Sequence, residues 1–176
     1  MRLIRIWGPI GVAVIGLIIF AVLRVGNADE IEGVTIVSSA PSNQHDSDLH
    51  IEFGGLPPMG GPHNPTWQNC GIYDTPVLPE HVIHSMEHGA VWIAYHPELS
   101  DADLLTLQDV VRGDNYLLLA PYPEMVADIV LTVWDRQLTV ESVDDERIEQ
   151  FIAAYRRTRG PESAARCGGG IGQPIG

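Results

Sequence analysis

Residues 90–122 read AVWIAYHPELSDADLLTLQDVVRGDNYLLLAPY, and this stretch decides the fold. Ala90 to Tyr95 is apolar at every position, which reads as a strand covered on both faces and central in its sheet. Ser100 and Asp103 make a capping-box-like helix start. Asp101 to Arg112 carries Leu104, Leu107 and Val111 on one helical face, and Gly113 closes it. Tyr116 to Tyr122 is a second strand, broken by Pro121 and Pro123.

Downstream, Ile129 to Trp134 and Gln137 to Val143 read as two strands or one long bent one, because the Asp135-Arg136 turn lacks glycine. Ser142 and Asp145 open a last helix. Its stripe is Ile148, Phe151, Ile152 and Tyr155, and Gly160 and Pro161 stop it. Upstream, Glu32 to Ser39 alternates around Val34, Ile36 and Val37 as a short strand. This order predicts an α+β two-layer sandwich with a ferredoxin-like βαββα core, the early strand supplying an edge.

Between them lies an unusual loop, Gly54 to Pro79, with eleven Gly or Pro in 26 residues. Trp67, Ile72, Tyr73 and Val77 punctuate it, so it reads as an ordered, functional loop rather than a linker. Glu80 to His88 follows as one or two helical turns, with Pro79 near the first position and Gly89 at the end.

The chain has 176 residues, 45% apolar and 19% charged, which excludes a disordered polymer. All ten basic residues are arginines, and Arg2, Arg5 and Arg24 flank a charge-free run from Ile6 to Leu23. As a helix that run rises ~27 Å, enough to span a bilayer. More positive charge precedes it than follows it, so the N-terminus is expected in the cytoplasm and the domain on the periplasmic or extracellular side. A cleaved signal peptide ending at Gly26-Asn27-Ala28 is the alternative. The expected organisation is an anchor and linker over 1–28, an exported domain over 29–162 and a Gly-rich tail over 163–176, flexible in itself but tied to the loop around Asn69 by a disulfide. Beyond Ala28, seven arginines face twenty-three acids, a formal −16. That repels nucleic acid and suits a basic partner, such as an electron carrier.

Cys70 and Cys167 are the only cysteines. In an oxidising compartment they are expected to form a disulfide closing a loop of about 98 residues, worth ~4–5 kcal/mol in the chain-entropy model. Two metal-binding thiolates are the alternative.

Seven histidines are many for an acidic domain. In His84-Ser85-Met86-Glu87-His88 the two histidines lie on one helical face, where their imidazoles can meet one metal. His63 offers a third ligand from the loop, and His81 stands one turn before His84. Imidazoles suit zinc or copper, and the nearby thioethers of Met59 and Met86 favour copper. Glu87 reads as a partner that orients a histidine. The same five residues spell H-x-x-E-H, in which zinc activates water and the glutamate acts as base, although the helix here is short for that use. A purely structural polar network is the metal-free alternative. His45 and His50 lie in a polar stretch that gives them no role, and His96 reads as a surface residue.

The stretch Pro57-Pro58-Met59-Gly60-Gly61-Pro62-His63-Asn64-Pro65-Thr66-Trp67, then Gly71-Ile72-Tyr73, then His84 to Gly89 resembles the family catalogued as domain of unknown function 3105. Leu131 to Trp134, Arg147-Ile148 and Phe151 to Arg156 are similar to its C-terminal half. The resemblance covers roughly Ile51 to Glu162. It implies one N-terminal anchor and an exported domain, and it implies no activity. His63, His84, Glu87 and His88 occupy signature positions. His81 does not, and Met59 and Met86 stand where the family pattern has other residues. The expected function is a membrane-anchored, extracytoplasmic metal-binding accessory protein. The alternatives are a metal-free subunit of a respiratory or photosynthetic membrane complex, and a zinc hydrolase.

Overall fold

The computed structural model describes residues 31–38, 44–163 and 165–175. The expected span Ile6 to Leu23 and its linker lie outside the described residues. Among the described residues, no helix is long and apolar enough to cross a membrane.

The apolar run at the centre of the sequence becomes β3, Val91–Tyr95. It is buried throughout because both faces of the sheet are covered. Val91, Ile93 and Tyr95 join one core, and Trp92 and Ala94 join the other. The remaining strands are β1 (Thr35–Ile36), β2 (Gly71–Ile72), β4 (Leu117–Pro121), β5 (Ile129–Val133) and β6 (Arg136–Val140). The helices are α1 (Pro79–Glu87), α2 (Asp101–Val111) and α3 (Arg147–Tyr155). The sheet order is β1-β6-β5-β3-β4-β2. The β3–β4 and β4–β2 pairs are parallel, and the others are antiparallel.

This order corrects the ferredoxin-like expectation. There the two strands of the βαβ unit are split by a third. Here β3 and β4 are direct neighbours, Val91 opposite Leu117, and β5 fills the other side of β3, Ile93 opposite Leu131. The run β-α-β-β-α is common to both arrangements, so hydrophobic periodicity cannot tell them apart. The two-layer expectation is corrected as well. α2 and α3 cover one face through Leu107, Val111, Ile148, Phe151 and Tyr155. α1 and the Gly/Pro loop cover the other through Val77, Val82, Ile83 and Met86. The sheet is therefore the middle of three layers.

Local signals hold in several places. The Ser100 hydroxyl accepts the Asp103 amide at 3.2 Å, capping α2. β5 and β6 form a hairpin in which Val133 pairs with Arg136, and Asp135 supplies the positive φ, +71°, that glycine usually provides. α3 starts later than expected, at Arg147, because the residues from Ser142 form turns first.

The C-terminal segment is not a loose tail. Cys70 and Cys167 form a disulfide. The Ile171 amide donates to the Trp67 carbonyl at 2.9 Å, and the Asn69 amide donates to the Ile171 carbonyl at 2.8 Å. Residues near 170 thus lie along the Gly/Pro loop as an added strand-like segment. Gly170 is glycine because a Cβ there would overlap the Trp67 carbonyl.

Candidate metal centre

α1 is buried almost all round, so its two sides have different work. Val82, Ile83 and Met86 enter the core against the sheet. His84, Glu87 and His88 face away from it, toward the loop and the C-terminal segment. Gly89, at φ +93°, ends the helix and turns the chain into β3.

Four side chains bring one ligand atom each to within 4.8 Å of one another: His45, His63, His84 and Glu87. Glu87 Oε2 lies 3.0 Å from His63 Nε2, 3.6 Å from His45 Nε2 and 4.0 Å from His84 Nε2. His63 and Glu87 are fully buried, His84 nearly so, and His45 lies at the surface. The group could hold a metal ion.

The backbone fixes which ring nitrogens point inward. His63 Nδ1 donates to the Gly61 carbonyl and His84 Nδ1 to the Asn64 carbonyl, each at 2.8 Å. A carbonyl only accepts, so in the neutral ring the hydrogen is on Nδ1 and Nε2 is a lone pair. These are the outer contacts that orient histidine ligands. Burial pushes His84 down to about 4; the Asn64 carbonyl and Glu87 oppose that shift, and His88 and His63 add to it. His84 therefore keeps its lone pair at neutral pH. Glu87 Oε1 is buried with no hydrogen-bond partner.

Aromatic rings wall the centre. Trp134 stands edge-on to His63 at 6.0 Å, and Trp67 packs 5.6 Å from His84 and 4.9 Å from His88. Gly60 is needed where the loop crosses Trp134, because a Cβ there would sit 3.3 Å from its ring at φ +132°.

Of the residues expected from sequence, His63 and His84 meet, and Glu87 joins them directly rather than standing behind a histidine. His88 does not join. Its Nδ1 donates to the Arg166 carbonyl at 2.9 Å, and its Nε2 faces Glu162 at 3.7 Å. Its ring packs on His84 at 4.7 Å, and burial lowers its pKa. His81, half-buried, donates to the Thr66 carbonyl and ties α1 to the loop. Met86 is core, and Met59 lends its carbonyl to the Asp135 amide at 2.9 Å.

His45 was missed. Its local sequence is polar and carries no periodicity. It reaches the centre through a bridge to His63, in which the Asp46 amide donates to the His63 carbonyl at 2.9 Å and the His63 amide to the Gln44 carbonyl at 3.0 Å. Only that long-range pairing reveals it.

No curated protein and no solved structure matches the chain. A family model does, over residues 44–169, with the description "Protein of unknown function (DUF3105)". That span holds all four converging side chains and both cysteines, and it is most of the sequence: the chain belongs to the DUF3105 family.

Proposed function

We propose that this protein binds one divalent transition-metal ion at His45, His63, His84 and Glu87, as a membrane-anchored, exported binding or accessory protein. The observation that carries the reading is the meeting of His45, His63 and His84 with the Glu87 carboxylate, with the Nδ1 atoms of His63 and His84 turned outward onto backbone carbonyls. Tetrahedral ligands at ~2.0–2.1 Å from an ion stand about 3.3 Å apart, close to the spacings around Glu87. Three imidazoles and a carboxylate suit zinc, and Cu(II) after it. Nothing in the set favours Cu(I), since Met86 is committed to the core.

A metal-free network would pair His63 with Glu87 Oε2 by a hydrogen bond at 3.0 Å. That leaves Glu87 Oε1 still without a partner, a costly state for a buried carboxylate oxygen. A hydrolase of the H-x-x-E-H kind needs His84 and His88 as ligands and Glu87 as a base. Here Glu87 stands among the ligand atoms and His88 faces Glu162, which disfavours it. Export is supported by the disulfide and by the apolar run Ile6 to Leu23. The acidic domain suits docking to a basic partner.

Elemental analysis of the purified full chain, after zinc reconstitution and desalting, tests this. One equivalent of zinc per chain, lost in His84→Ala, is expected. Metal-free wild-type protein after reconstitution would overturn the reading.

A further inference from the structure

We propose that the Cys70–Cys167 disulfide is a reaction site for a dithiol reductant, and that its redox state sets how firmly the metal centre is held. The second part rests on the metal-binding reading above. A surface cavity of about 310 Å³ opens directly on the disulfide, lined by Cys70, Asn115, Tyr116, Arg166, Cys167 and Gly168. Both cysteines line the cavity, and Cys70 is half-buried where Cys167 is 1% exposed, so Cys70 is the more open of the two to an incoming thiolate. Arg166 is exposed and lines the same cavity, a cation that favours both the attacking and the leaving thiolate.

The step balances with a dithiol. One thiolate of the reductant attacks Cys70 Sγ, the S–S bond breaks, and Cys167 leaves as a thiolate. A mixed disulfide then joins the reductant to Cys70. The second reductant thiol displaces Cys70 and closes the reductant's own disulfide. Two electrons pass to the cysteine pair, and the two thiol protons of the reductant end on Cys70 and Cys167.

The segment held by Cys167 is what props the centre from behind. The carbonyl of Arg166, its immediate neighbour, accepts from His88 Nδ1, and the His88 ring packs on His84. The Ile171 amide holds the carbonyl of Trp67, the ring that covers both histidines. Opening the disulfide leaves this segment held by its hydrogen bonds alone and so loosens the wall of the site, while His63, His84 and Glu87 keep their own attachments.

The test uses the full chain, metal-free, with dithiothreitol as the probe. The protein is reduced without denaturant, its thiols are capped with iodoacetamide, and zinc is titrated into the capped and the oxidised forms. Reduction in native buffer at a rate within tenfold of that in denaturant is expected, with near-UV circular dichroism retained and zinc affinity lowered by about tenfold or more. Arg166→Glu should slow native reduction without changing the spectrum. Reduction only in denaturant, loss of the tertiary spectrum on capping, or equal zinc affinity in both forms would each overturn the proposal. Absence of zinc binding in the oxidised form would instead strike the metal reading, and the reduction rates would still decide thiol access.

Discussion

His63 Nε2 stands 3.0 Å from Glu87 Oε2, and the His63 ring has already committed its Nδ1 hydrogen to the Gly61 carbonyl at 2.8 Å. The pair is fully buried, one group coming from the loop and one from α1. In the proposed reading a cation is shared by this pair, and His45 and His84, whose ligand atoms lie within 4.8 Å of the others, complete its shell.

Glu87→Gln should therefore move two quantities in opposite directions. A glutamine amide can donate to His63 Nε2 and removes a buried carboxylate, so the EDTA-treated variant should melt at or above the wild-type temperature. Zinc affinity should fall by about 10- to 100-fold. Calorimetry with and without zinc measures both, and a variant that loses stability in EDTA while keeping its zinc affinity contradicts the account.

The ligands should not be equal. His84→Ala removes a buried ring with a fixed Nδ1 contact and is expected to abolish stoichiometric zinc binding. His45 lies at the surface, so His45→Ala should cost less, about tenfold, and added imidazole should restore part of it. Equal losses, with no imidazole effect, would speak against His45 as the outer ligand.

Zinc should stabilise the fold by mass action. At a hundredfold excess over Kd the gain is about 2.7 kcal/mol, or about 5–10 °C in Tm for a domain of this size. Thermal melts with zinc and then excess EDTA should show the shift and its reversal.

Gly160 sits at φ +99°, and a Cβ there would overlap the carbonyls of Met86 and Glu87. Gly160→Ala should cost about 2 kcal/mol or more and displace the end of α1 that carries Glu87. Urea unfolding measures the first effect and zinc titration the second.

The Asp145 carboxylate accepts the Arg147 amide and guanidinium, which holds its pKa below the usual carboxylate value. A lowered pKa means stability present above about pH 4 and lost as pH falls through the shifted value. Arg147 also grips the Glu32 carbonyl at 3.0 Å, near the sheet edge at β1. Asp145→Asn should cost about 0.5–1 kcal/mol at pH 7, and the gap should close toward pH 3. A gap independent of pH would contradict this origin.

Much of this molecule was legible in its sequence because local chemistry is strong where it was read. Ser100 caps α2, Pro79 and Gly89 bracket α1, and the apolar run from Val91 is the central strand. The sheet order was not legible, since β-α-β-β-α leaves open which edge of β3 is filled by β5. Glycines near 170 read as flexible, yet they are what allows the chain to lie flat against Trp67. His63 and His84 were visible through the H-x-x-E-H spacing and the loop. His45 depends on a bridge between segments eighteen positions apart, and His88 is turned aside by the Arg166 carbonyl, far along the chain.

X-ray absorption at the zinc edge of the reconstituted full chain tests the central claim most directly. The account predicts four nitrogen or oxygen ligands at about 2.0–2.1 Å, with outer scattering from three imidazoles that drops to two in His45→Ala. A sulfur shell at about 2.3 Å, or a spectrum unchanged in His84→Ala, would contradict it.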